Sequence, residues 1–79
     1  MKINYLGFSN YHRRYCFEIS FSDEITRIKF ENIFNMNFRD HTIQAEPDRS
    51  SSFVEYVVFA NEEHKESINA ILKKFEEKK

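Results

Sequence analysis

The chain contains one glycine, one proline and one cysteine. Each scarcity removes a class of function. A single glycine leaves no Gly-rich loop that could cradle a phosphate. With Cys16 alone, neither an intrachain disulfide nor a Cys-based zinc cluster can form, and a lone thiol fits a reducing compartment. No apolar run approaches the roughly 18 residues of a membrane span. The opening MKINYLGFSNYHRR has neither an apolar run of signal-peptide length nor a small-residue cleavage site. The reading is a cytoplasmic protein with no membrane partner. Charge of one sign is also missing, since 12 basic residues face 13 acidic ones for a net charge of −1. That balance argues against a polyanion mimic and against a strongly basic nucleic-acid binder.

What the chain does have is aromatic side chains, nine Phe and four Tyr in 79 residues. Each can bury about 150–250 Å², and a domain this small has too much surface for its volume to enclose them all. Some are expected to lie partly exposed, and an exposed aromatic patch marks a binding or oligomer surface.

The patterns predict one domain over residues 1–79. KINYLGF (2–8) reads as a strand. YCFEISF (15–21) alternates, with Tyr15, Phe17, Ile19 and Phe21 on one side and Cys16, Glu18 and Ser20 on the other. Residues 22–36 read as a helix with Ser22 as N-cap, its apolar residues spread over about half the circumference. TRIKFE also alternates as a strand does. RDHTIQAE (39–46) is a weak strand, and Pro47, Asp48, Arg49 and three serines mark a turn. SFVEYVVFA (52–60), apolar on both faces apart from Glu55, belongs at the centre of a sheet. Asn61 caps a last helix whose stripe is His64, Ile68, Ile71, Leu72 and Phe75. Its outer face is charged, with Glu62, Glu66, Lys73, Lys74, Glu76 and Glu77 on it. The fold class is therefore α+β, ββαββα. It is a two-layer sandwich of a four-stranded antiparallel sheet with two helices on one face, in a ferredoxin-like element order without the closing strand. Two layers leave the second sheet face uncovered, with Tyr56 or Tyr15 as residues that could remain there.

NYHRRY (10–15) is the stretch richest in binding chemistry. Arginine grips phosphate or carboxylate bidentately and tyrosine stacks, so Tyr11, Arg13, Arg14 and Tyr15 form a candidate partner-binding set. Tyr5 and Tyr56 are added as anchors, and Lys2, Arg39 and Arg49 extend the set if the fold brings them near. The plain alternative is a solvated hairpin end, because adjacent strand residues point oppositely. His12, His41 and His64 have no i, i+4 pairing that could seed a metal site, so no metal or cofactor is expected. His64 reads as a core-edge packer and Cys16 as a packing residue rather than a nucleophile. Ser50, Ser51 and Ser52 read as turn residues, and exposure argues against raised pKa values for Glu46 and Asp48. None of this points to an enzyme.

The opening MKINYL, the hairpin-like NYHRRYCFEISF and the following EITRIKFENIF resemble the start of some small phage anti-CRISPR proteins. The resemblance covers about residues 1–35 as a pattern of residue types, and FVEYVVFANEEHKESINAILKKF departs from it. It implies an antiparallel sheet with two helices, a strand rather than a helix over 22–34, and a function of occluding a defence complex. The expected function is a non-enzymatic protein-binding domain acting on a larger protein or nucleoprotein complex. The alternatives are a small module binding RNA or single-stranded nucleic acid, and a homodimer whose open sheet faces bury each other.

Overall fold

The computed structural model describes residues 1–37 and 43–77. The expected ββαββα order is present: β1 (Lys2–Ser9), β2 (Arg14–Ser20), α1 (Glu24–Asn37), β3 (Ile43–Pro47), β4 (Val54–Phe59) and α2 (Lys65–Glu77). The strands form one antiparallel sheet in the order β1-β2-β4-β3. Both β2 and β3 run antiparallel to β4, so they are parallel to each other with α1 between them in sequence. That is a split β-α-β unit. The edge beside β2, which a strand after α2 closes in the ferredoxin-like order, is here taken by β1.

Alternation sorts the sheet into two faces. Phe17 and Ile19 of β2, Val57 and Phe59 of β4 and Ala45 of β3 share one buried cluster with Phe30 and Phe34 of α1 and Ile68 and Leu72 of α2. Both helices therefore cover the same face. The helices also meet each other, with the Phe30 and Phe75 rings 5.0 Å apart. β4 lies centrally, as its two apolar faces require.

α1 is a helix, so the strand over 22–34 implied by the anti-CRISPR resemblance is not formed. The helix brings Phe30 and Phe34, one turn apart, onto a single inward face. Its first turn is capped one residue later than expected. The Asp23 carboxylate, not Ser22, accepts the Thr26 amide at 2.7 Å, and that hydrogen bond holds Asp23 below its usual range. Asn35, on the same helix, donates to the Ala45 carbonyl at 3.1 Å and accepts its amide at 2.9 Å. It thereby satisfies the backbone on the outer edge of β3.

Arg27 is buried on the inner side of α1, where it meets the one charged residue of β4. Its Nη1 donates to Glu55 Oε1 at 2.7 Å and Glu31 Oε1 at 3.0 Å, and its Nε donates to the Ser52 carbonyl at 2.7 Å. Glu55 is fully buried. The pair ties helix to sheet.

Asn61 caps the last helical segment as expected, accepting the Glu63 amide at 3.0 Å. A 3-10 turn over Glu62–His64 comes first, however, and α2 begins at Lys65. The tighter turn rotates His64 off the apolar stripe into solvent, so it is not a core-edge packer. The expected strand over 39–46 is present from Ile43, and the residues before it fall outside those described.

β1 does not pair evenly. Tyr5 faces Phe17 but Gly7 faces Cys16, so Leu6 is an extra residue in a bulge. Gly7 has φ +82, a conformation in which a side chain costs about 1–2 kcal/mol. Nothing lies within 4 Å of an added Cβ, so that cost comes from the backbone alone. Gly7→Ala is expected to lower stability by about 1–2 kcal/mol, read as a lower urea midpoint at unchanged m-value.

Candidate functional site: a cleft on the outer face of the sheet

With Phe17, Val57 and Phe59 turned inward, Cys16, Tyr56 and Val58 face away from the helices. Cys16 and Val58 are nonetheless only 2 % exposed. The β1–β2 turn accounts for the cover. The His12 amide donates to Ser9 Oγ at 3.3 Å, and the turn folds back over the sheet rather than extending beyond it. The His12 ring lies 5.5 Å from Tyr56 on β4, and its Nδ1 is 3.4 Å from Glu46 Oε2 on β3. To reach those two strands from β1 and β2, the turn must cross the outer face.

Arg13 closes the turn at φ 56, in the left-handed region that a non-glycine residue seldom occupies. Such strain persists only where surrounding contacts impose it. Here the contacts of His12 on one side and the start of β2 on the other impose it.

An open cleft of about 980 Å³ remains beside the turn. Cys16 and Tyr56 contribute to its lining, together with Leu6, Tyr11, His12 and Arg49. Tyr11 is 71 % exposed, its ring edge-on to His12 at 4.9 Å, with the Arg49 guanidinium 6.0 Å above it. Arg49 arrives from the β3–β4 connection. There Asp48 accepts the Ser50 amide at 3.1 Å and hydroxyl at 2.7 Å, and Ser51 Oγ accepts the Phe53 amide at 3.2 Å. The serines are turn residues, and the Ser50 contacts hold Asp48 below the usual carboxylate range. Burial and the neighbouring Asp48 carboxylate raise the Tyr56 hydroxyl pKa, so that hydroxyl is a hydrogen-bond donor. Burial, then Glu18, pushes the Cys16 thiol up as well. Nucleophilic cysteines are shifted the other way.

The candidate residues read from the sequence divide between two faces. Tyr11 and Tyr56 line the cleft, whereas Arg13 is an exposed residue of the turn outside its lining. Arg14 is half-buried at the start of β2. Tyr15 faces the helices, stacked on Phe59 at 5.9 Å with the half-exposed Phe8 edge-on at 5.4 Å. Tyr5 also lies on the helix side, 5.1 Å from Phe17, its hydroxyl donating to Glu62 Oε2 at 3.3 Å and Lys65 Nζ 4.3 Å from its ring. Of the basic residues considered as extensions, Arg49 is brought in, while Lys2 sits at the far end of β1 opposite Ser20. Arg39 and His41 lie outside the described residues. Sequence reasoning missed Leu6, which the bulge brings to the rim, and the part His12 plays in covering the sheet. The signal for His12 was its place in a polar turn opposite a carboxylate-bearing edge strand, which only the fold makes adjacent.

The fold and this cleft define a small α+β two-layer domain whose outer sheet face is crossed by its own hairpin turn. Comparison with protein-family models, with curated proteins and with solved structures finds no match. No helix among the described residues is long and apolar enough to cross a membrane.

If His12 holds the turn against the sheet, Cys16 is protected from alkylation in the folded wild-type protein. His12→Ala is expected to raise the iodoacetamide reaction rate of Cys16 severalfold, measured by mass spectrometry under conditions where circular dichroism shows the variant folded.

Proposed function

We propose that this protein is a non-enzymatic binding domain that takes an aromatic or aliphatic side chain of a protein partner into the outer-face cleft. One observation carries the reading. The hairpin turn is held in a strained conformation across the sheet, and in it stands Tyr11, largely exposed, with Arg49 over its ring. Tyrosine and arginine dominate interface hot spots because they combine large contact area with directed hydrogen bonds. The half-exposed Leu6 extends the apolar rim. Binding of this kind acts stoichiometrically, by occlusion. It is compatible with inhibition of a larger nucleoprotein complex, the role implied by the resemblance of residues 1–35 to anti-CRISPR proteins.

The carboxylates of Glu46 and Asp48 line the same cleft as Arg49. A phosphate backbone would meet them as like charges, which favours a protein partner over single-stranded nucleic acid. A homodimer made by apposing two outer sheet faces would have to displace the crossing turn.

The test is a pulldown with tagged protein from nuclease-treated lysate, comparing wild type, Tyr11→Ala/Arg49→Ala and Lys73→Ala. The proposal expects one protein held by wild type and by Lys73→Ala, on the charged outer face of α2. It expects the double variant to lose that protein, with a cost of about 2 kcal/mol or more in subsequent titration. Equal retention by the double variant, or loss of all recovered material on nuclease treatment, overturns it.

A further inference from the structure

Arg27, Glu31 and Glu55 place one guanidinium between two carboxylates, so the group carries a net negative charge when both acids are ionised. Glu55 has no exposure, and only one of its two oxygens meets Arg27. Its Oε2 is buried without a hydrogen-bond partner. A buried, ionised oxygen without a donor is costly. Among the described residues, no second cation pairs with Glu55. Cross-strand from Glu55 stand Ile19 on β2 and Pro47 on β3, and α2 presents Ile68 and Leu72 to the same core. Among the described residues, the charged groups that meet it come from α1, and they are Arg27 and Glu31.

We propose that the Arg27–Glu31–Glu55 group is a proton-binding site that makes the docking of α1 on the sheet pH-sensitive around neutrality. The proton sits on Glu55, neutralises the group and turns an acceptor without a donor into a donor. Glu31, which meets the same Arg27 Nη1, is the neighbouring carboxylate that can accept it. The electrostatics agree with the geometry. Burial raises Glu55 to about 7, against the opposing pull of Arg27 and with a further push from Glu31. In the unfolded chain the same carboxyl has its ordinary value near 4.5. Between those values the folded protein binds more protons than the unfolded chain. Stability from this group is therefore greatest on the acid side of the window and falls as pH rises toward 7, the reverse of a salt-bridged surface carboxylate.

Urea denaturation of wild type and Glu55→Gln at several pH values between 5 and 8 tests the site, and the difference between the two cancels the titrating groups that do not interact with Glu55. The expected result is that the unfolding constant of wild type rises relative to Glu55→Gln, by up to about tenfold per pH unit through the window. No pH-dependent difference between the two overturns the proposal. Should the variant not fold, the wild-type protein answers directly through the side-chain carboxyl carbon shift of Glu55. A midpoint near neutrality supports the site, and one in the ordinary carboxylate range, about 4, contradicts it.

Discussion

The contact between Arg27 and Glu55 constrains more of this molecule than any other. Side chains on a strand alternate with a period of two, so placing Glu55 against the helices forces Tyr56 to the opposite face. On the helix, turning Arg27 inward with Phe30 and Phe34 leaves Ile25, Ile28, Ile33 and Met36 directed at solvent. One buried charge pair thus settles which aromatic serves the outer cleft and which apolar residues stay uncovered on α1. A residue buried for its charge rather than its hydrophobicity sets the register of the most apolar strand. A one-residue slip of β4 would expose Val57 and Phe59 and bury Tyr56 at once.

The outer surface follows from two backbone irregularities in a chain nearly devoid of glycine. Gly7 is spent on the bulge in β1, where a positive φ lets Leu6 stand out of register at the sheet edge. No second glycine remains for the hairpin turn, and Arg13 takes its left-handed position instead. The turn pays for that strain with contacts from His12 to Tyr56 and Glu46. Those contacts convert an open sheet face into a covered one with a cleft beside it. Surplus aromatic surface is then divided. Tyr5 and Tyr15 pack on the edge of the core, and Phe8, Phe53 and Tyr11 are left with about half or more of their surface exposed.

The architecture was legible because the chain writes it in simple periods. YCFEIS alternates, VEYVVF is apolar on both faces, and Ile68, Leu72 and Phe75 recur at helical spacing. The first helix was harder to read, because its apolar residues occupy both faces and the same run alternates. What decides it is Asp23 capping Thr26 and the inward pair Phe30 and Phe34. The candidate site was half legible. Tyr11, Arg13 and Tyr56 stand out by type, but residue type does not say which face a tyrosine occupies, and Tyr5 and Tyr15 went to the helix side, Tyr15 in step with its alternation with Phe17 and Ile19. The Arg27–Glu55 contact was not legible in advance, since 28 residues separate its partners. The trace it left was a lone acid in an otherwise apolar strand and a basic residue one turn before Phe30 on the same helical face.

The most direct measurement is the stability of Arg27→Met, Glu55→Met and the double variant at pH 8, by urea denaturation. If the pair is the constraint described, Arg27→Met alone leaves a buried carboxylate without its cation and is severely destabilised, by about 3–5 kcal/mol. Adding Glu55→Met to it then restores stability, because two apolar side chains replace two charges. Further loss of stability on adding Glu55→Met would show that the two residues act independently, and would contradict the account.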